Sequence, residues 1–179
     1  MGTSRTAQHT SSVPLLSRIR SASCPDTSSR DVWTARRFIS AEPAEVLVAL
    51  TDPEFITLWA PVDFEVHGLR GRRLRGGSHA IIDGSLAGVA AEFEIDVLRA
   101  DEEGLDLQAR GPVDFEVAYR FVPERQGVII DAKIKLGREP GLNARVLRAA
   151  TGALLSGGAL DRALGRLARE LDEVALLAA

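Results

Sequence analysis

The sequence predicts an α+β domain in which an antiparallel sheet wraps its dry face around a long C-terminal helix. Three observations carry that prediction. From Val62 to Leu136, apolar and polar residues alternate with a period of two between turns. Ahead of that stretch, two short helical segments directly follow a first strand. Behind it, Leu160, Leu164, Leu167, Leu171 and Val174 recur at three- and four-residue steps, with Arg162, Arg166, Arg169, Glu170, Asp172 and Glu173 opposite them. That is the apolar stripe of an amphipathic helix.

The length, 179 residues, suits one domain plus a tail, and 45% hydrophobic residues allow a real core. The net charge of −3 is uneven: Arg5, Arg18, Arg20 and Arg30 against Asp26 put +3 on residues 1–30 and leave −6 on the remainder. An acidic body argues against nucleic acid as a partner, because phosphate binding needs a broad basic face. Cys24 is the lone cysteine, so no internal disulfide forms, and no Cys/His cluster has zinc spacing. A reducing cytoplasm fits. No run approaches the roughly 18 apolar residues of a membrane span.

Residues 1–30 are rich in Ser, Thr and Arg and poor in acids, and Val13-Pro14-Leu15-Leu16 is their one apolar cluster. They read as a disordered tail. A solvated extension competes with an organelle transit peptide as its meaning; an Ala-, Arg- and Gly-heavy body of bacterial type favours the extension. Residues 31–179 read as a single domain. Val32 to Ser40 is the first strand. Pro43 suits the first position of a helix carrying Val46, Leu47 and Leu50, with Ser40 or Ala41 ahead of it. Asp52 is placed to cap a second helix with Pro53, Phe55, Leu58 and Trp59, ended by Pro61.

Six further strands follow. They run over Val62–His67, Ser78–Asp83, Val89–Val97, Leu105–Ala109, Val113–Phe121 and Val128–Leu136. Turns are expected at Leu69–Gly77, Gly84–Gly88, Asp101–Gly104, Gly111-Pro112 and Pro123–Gly127. Consecutive hairpins make an antiparallel sheet with one wet and one dry face. The hexapeptide PVDFEV occurs at Pro61–Val66 and at Pro112–Val117, two strands obeying one pattern. The C-terminal stretch from Pro140 is the element long enough to cover the dry face. Gly152, Gly157 and Gly158 interrupt it at roughly 1 kcal/mol each relative to Ala. It therefore reads as two parts, a looser Asn143–Gly158 segment and a Leu160–Val174 grip.

The stretch Ile39–Pro61 resembles the START-like (SRPBCC) helix-grip superfamily, and within it the polyketide cyclase/dehydrase and lipid-transport group. The carrying residues are Ile39, Ala41, Pro43, Leu50-Thr51-Asp52-Pro53 and Trp59. The element order from 32 to 175 agrees. The resemblance implies a curved seven-stranded sheet gripping the last helix around an elongated cavity, with the two small helices and hairpin loops at its mouth. It is broad in function, since that superfamily hosts cyclases, hydratases, lipid carriers, hormone receptors, co-chaperones and oxygenase domains.

The dry face nominates a ligand-binding wall of Phe64, Val66, Ile82, Phe93, Ile95, Phe115, Val117, Ile130 and Ile134, with Leu147, Thr151 and Leu154 from the helix. Trp59 is a gate at the mouth or a packing anchor. Tyr119, the one tyrosine, is on the inward phase of its strand. It is either a core aromatic or a polar handle that steers a ligand carbonyl or acts as a weak acid. Arg37 shares the inward phase if Trp33 and Ile39 point in, and is the second catalytic candidate. His67 and His79 fall on the wet face of neighbouring strands, where solvated imidazoles are the simpler reading than a metal pair. Glu92, Glu94 and Asp96 are also on the wet face, with Lys133 and Lys135 as expected cross-strand partners. Arg70, Arg72, Arg73 and Arg75 gather four charges in one turn, a solvated loop or a contact for an acidic protein or anionic membrane.

No Ser–His–Asp, Cys–His, glycine-rich phosphate loop or HExxH pattern is present, and no metal or cofactor is implied. Three functions remain open. One is binding of a hydrophobic small molecule, a lipid or polyketide, between sheet and C-terminal helix. Another is a polyketide aromatase/cyclase or dehydratase with Tyr119 or Arg37 as its polar group, using neither metal nor covalent intermediate. The third is a protein-interaction module built on the Arg70–Arg75 turn.

Overall fold

A computed structural model describes residues 31–86, 89–137 and 142–178. The expectations for the N-terminal tail and Cys24 fall outside them. The elements are β1 (Val32–Ile39), α1 (Pro43–Thr51), α2 (Pro53–Trp59), β2 (Phe64–His67), β3 (His79–Leu86), β4 (Val89–Asp101), β5 (Gly104–Arg110), β6 (Phe115–Glu124), β7 (Gly127–Leu136), α3 (Leu142–Ser156) and α4 (Ala159–Ala178).

The seven strands form one antiparallel sheet in the order β1-β7-β6-β5-β4-β3-β2. Hairpins join β2 through β7 in sequence. β1 returns to pair with β7, Val32 opposite Lys135 and Ile39 opposite Val128. β1 and β2 are therefore at opposite edges, and α1 and α2, which connect them, must cross the dry face. α1 packs over β4 and β5 on the way. This crossing positions everything that follows.

Local chemistry explains the two short helices. The Glu42 amide donates to the Glu45 carboxylate at 2.8 Å, so Glu42 caps α1 rather than Ser40 or Ala41. Pro43 takes the first position, where a missing N–H costs nothing. Asp52 ends α1 through its own amide, bonded to the Val48 carbonyl, and starts α2 by accepting from the Glu54 amide at 3.1 Å.

Several strand ends differ from the sequence reading. β3 continues through Gly84, which pairs with both Phe64 and Ala91, instead of turning there. A Cβ on Gly84 would stand 3.2 Å from the Asp63 carbonyl, so the glycine permits close approach of β2 rather than a turn. β6 begins at Phe115, not Val113. Pro112 lacks a ladder donor, and the Asp114 carboxylate takes the Gly111 amide, which makes 111–114 a loop with Val113 buried beneath it. β6 also runs through Pro123 to Glu124, leaving a two-residue turn before β7. Lys135 bonds Glu116 at 2.9 Å, and Lys133 stands opposite Ala118 and Thr34. Neither lysine faces Glu92, Glu94 or Asp96, because β5 and β6 separate β7 from β4.

The C-terminal stretch is two helices. The break is at Gly157-Gly158, where Gly158 adopts φ +81° and donates its amide to the Leu155 carbonyl. α4 packs against β1, α2 and α1. Leu160, Leu164, Leu167 and Leu171 are buried, and Leu164 and Leu167 are fully covered. Val174, the last member of the predicted stripe, is 51% exposed, so the grip ends one turn early. α3 lies over another part of the sheet. Its Leu147 joins Ala91, Val113 and Leu136 in a separate small cluster flanked by Trp33, Phe93 and Phe115. Trp33 ties it down, its indole N–H donating to the Ser156 hydroxyl at 3.1 Å, and Arg148 pairs with Asp31.

Candidate ligand-binding cavity

Between the sheet and the α1–α2 crossing lies a cavity of about 310 Å³. Small-molecule sites begin at roughly this size. Its floor comes from β2 to β7 and its roof from Leu50 of α1, Ile56 and Trp59 of α2, and Leu74 of the loop before β3. Both PVDFEV copies contribute their Phe and second Val, Phe64 and Val66 from one and Phe115 and Val117 from the other, and the first adds Val62 and Asp63. Phe115 meets Phe93 edge to face, with ring centroids 5.4 Å apart.

Nine of the thirteen nominated residues lie on this cavity. Trp59, Phe64, Val66, Ile82, Phe93, Ile95, Phe115, Val117 and Ile134 all line the cavity, as does Tyr119. Four predicted residues do not. Ile130 is wholly buried in the core with Leu164 and Leu167. Leu147 belongs to the second cluster, and Thr151 is buried with its hydroxyl donated to the Leu147 carbonyl at 2.8 Å. Leu154 is on α3 outside the wall. Among the described residues, neither α3 nor α4 lines the cavity. The physical reason is the crossing: α1 occupies the dry face over β4 and β5, α2 packs on α1 and α4, and α4 lies against β1.

Arg37 has the inward phase, opposite Ile130, but its exposed side chain runs beside α4 rather than into the cavity. Its guanidinium would lie 3.4 Å from a Cβ built on Gly165 and is 3.9 Å from the Asp161 carboxylate. It is not in the cavity wall.

The polar groups of the wall are few. Asp63 and Ser85 are exposed and mark an opening. Trp59 cannot offer its N–H to a ligand, because it donates to the Ala49 carbonyl at 3.2 Å. That bond makes Trp59 an anchor of α2 on α1. Tyr119 is different. It is 8% exposed, and among the described residues its hydroxyl has no hydrogen-bond partner. Burial pushes the phenol up to about 12. Asp63 and Ser85 belong to the end of β4 near Ala90 and Ala91, whereas Tyr119 sits beside Leu105, opposite Ala100 at the other end of that strand. The cavity thus has an open end and a buried end, and the phenol belongs to the buried one.

Leu74 was missed by the sequence reading, as were Leu50, Ile56 and Leu105. Leu74 sits among the arginines of a turn, where periodicity carries no information. The structure shows what holds it in. The Leu74 amide donates to the Thr51 carbonyl at 2.9 Å, while Arg72 and Arg73 approach the Asp52 carboxylate at 3.7 and 3.5 Å and Arg72 also reaches Glu54. Two of the four turn arginines therefore fasten a cavity wall to the α1–α2 junction.

The wet face carries paired charges. His67 is 3.2 Å from Asp83, and the His79 Nδ1–H donates to the Asp96 carboxylate at 3.0 Å, so each imidazole has its own carboxylate. The His79 hydrogen bond above all, with Arg110 beside it, holds the Asp96 carboxyl below its usual range. Among the described residues no group of three acidic, His or Cys side chains could hold a metal ion, and no helix is long and apolar enough to cross a membrane.

No protein-family model and no curated protein matches this chain. Solved structures do. TTHA0849 from Thermus thermophilus is similar over 80% of this chain and 98% of its own, at 18% identity and a TM-score of 0.61. CV1439 from Chromobacterium violaceum is similar over 78% and 96%, at 16% identity and 0.57. DynU16, a protein of the dynemicin biosynthetic locus, is similar over 79% of this chain at 20% identity and 0.52, and this chain spans 47% of DynU16. Identities this low establish a shared fold.

Proposed function

We propose that this protein is a START-like domain that binds an apolar small molecule, a lipid or polyketide, in the cavity under the α1–α2 crossing. The observation that carries the reading is the cavity itself: about 310 Å³ walled by aromatic and aliphatic side chains, open at Asp63–Ser85. Burial drives binding at roughly 25 cal/mol per Å² of apolar surface removed from water. DynU16, similar in fold, comes from the dynemicin biosynthetic locus, which supports a biosynthetic intermediate such as a polyketide among the candidate ligands.

The test is titration with Nile red, a neutral apolar dye. Saturable binding at one site per chain, abolished in Val117→Trp with the circular dichroism spectrum retained, is the expected result. A spectrum-neutral Val117→Trp that binds the dye as well as the parent would place the dye elsewhere and reject the reading.

A second reading has one observation in its favour, the unpartnered phenol. In it the protein is an aromatase/cyclase or dehydratase that folds a polyketide away from water, with Tyr119 holding a ketone or enol oxygen. Turnover of a linear poly-β-ketone to a cyclised product, lost or redistributed in Tyr119→Phe, would favour the enzyme; the products of protein-free solution from both proteins would leave a carrier. Arg37 enters neither reading, since it lies outside the cavity wall, beside Asp161 of α4. The Arg70–Arg75 turn supports an interaction module weakly, because Arg72 and Arg73 are paired within the fold.

A further inference from the structure

The wall chemistry specifies more than apolarity, given the cavity-binding reading above. Among the described residues no Lys, Arg or His lines the cavity. The ionisable wall residue besides Tyr119 is Asp63, an acid, at the opening. Arg72 and Arg73, which precede the roof residue Leu74, are turned to Asp52. An anionic head group would find no counter-charge inside and a carboxylate at the entrance. Burying an unpaired carboxylate or phosphate is far costlier than the apolar contacts of a short chain repay. At the far end Tyr119 lines the cavity, and its hydroxyl makes no hydrogen bond among the described residues, so an acceptor on the ligand would be its partner.

We infer that the ligand is uncharged and enters with a hydrogen-bond acceptor leading, a ketone or ether oxygen that takes the Tyr119 hydroxyl proton in a hydrogen bond, while fatty acids and phosphate-headed lipids are rejected. Because burial pushes the phenol above its ordinary value near 10, it remains a donor at every physiological pH. The trailing end of the ligand lies at Asp63 and Ser85, where a second neutral polar group meets water.

The experiment is displacement of Nile red at pH 8 by three eight-carbon competitors: 2-octanone, octane and octanoate. In the parent protein 2-octanone should displace the dye roughly 3- to 10-fold better than octane, the range of one net hydrogen bond. In Tyr119→Phe that ratio should fall to about one, with octane unchanged, which also shows that the variant is folded. Octanoate should compete at least tenfold more weakly than 2-octanone in both proteins. Octanoate competing as well as the ketone would overturn the exclusion of anions. A ketone-to-octane preference that survives Tyr119→Phe would overturn the role of the phenol. Either result leaves the cavity reading standing, whereas dye that never binds at a single site removes that reading itself.

Discussion

On the β1–β7 side of the sheet, Ile39, Val128 and Ile130 share one cluster with Leu164 and Leu167 of α4, and all five are essentially fully covered. On the β2–β4 side, Phe64, Val66, Ile82 and Phe93 face short helices across open space and stay partly accessible. Both sides use the same inward alternation of large apolar residues. What differs is the element opposite. α4 spans 20 residues and interleaves a leucine stripe with the sheet, while α1 and α2 have nine and seven and are tied to both sheet edges. Two short tethered helices cannot settle into the concave floor, so they roof it.

One substitution made on each side tests that contrast most directly. Ile130→Ala removes a side chain from a filled core and should cost about 2–5 kcal/mol by urea denaturation. Ile82→Ala removes the same atoms from a wall that already borders empty space, and should cost about 1 kcal/mol, because few contacts are lost. Equal losses would mean that the cavity side is as tightly packed as the α4 side.

Tyr119 stands between the two regions, beside Leu105 and Ala132 in the sheet. Its phenol is pushed up to about 12 by burial, against an ordinary value near 10. A raised folded-state value means that the stabilisation is fully present below pH 10 and is lost as pH climbs from 10 toward 12, since the unfolded chain releases the proton first. The full effect is up to roughly 2–3 kcal/mol. This is the one tyrosine, so phenolate absorbance reports it without ambiguity. The alkaline loss should vanish in Tyr119→Phe. An ordinary midpoint near 10 would show that water fills the buried end of the cavity.

Much of this was legible in the chain. Period-two strands, the Asp52-Pro53 helix start and the leucine stripe are local patterns, and the elements they predicted are present. The inward phase of Phe64, Phe93, Phe115 and Tyr119 was legible for the same reason. What stayed hidden was which covering element each inward residue meets. Ile130 and Ile134 are four residues apart on one strand with one phase, yet one packs into the core and the other lines the cavity. Arg37 likewise has the correct phase and the wrong neighbour. That distinction depends on where α1 and α2 cross, a long-range outcome of β1 pairing with β7. Leu74 was invisible for the opposite reason: hydrogen bonds and ion pairs to Thr51 and Asp52, not periodicity, turn it inward.

The division of the C-terminal stretch into α3 and α4 yields the smallest and sharpest contrast, because two glycines close together should respond with opposite signs. Gly158 holds φ +81°, the left-handed region that an L side chain occupies at a cost, and its turn lets α4 leave α3 and reach β1. Gly158→Ala should therefore destabilise by about 1 kcal/mol. Gly152 is in the interior of α3, and a Cβ there would touch the Trp33 ring at 3.7 and 3.8 Å, ordinary contact distances. Gly152→Ala should stabilise by up to about 1 kcal/mol, combining better helix propensity with new apolar contact. Thermal denaturation of the two variants beside the parent would read both signs. If Gly158→Ala proved neutral, α3 and α4 would behave as one continuous helix in solution, and α4 would owe its place over β1 to something other than the break.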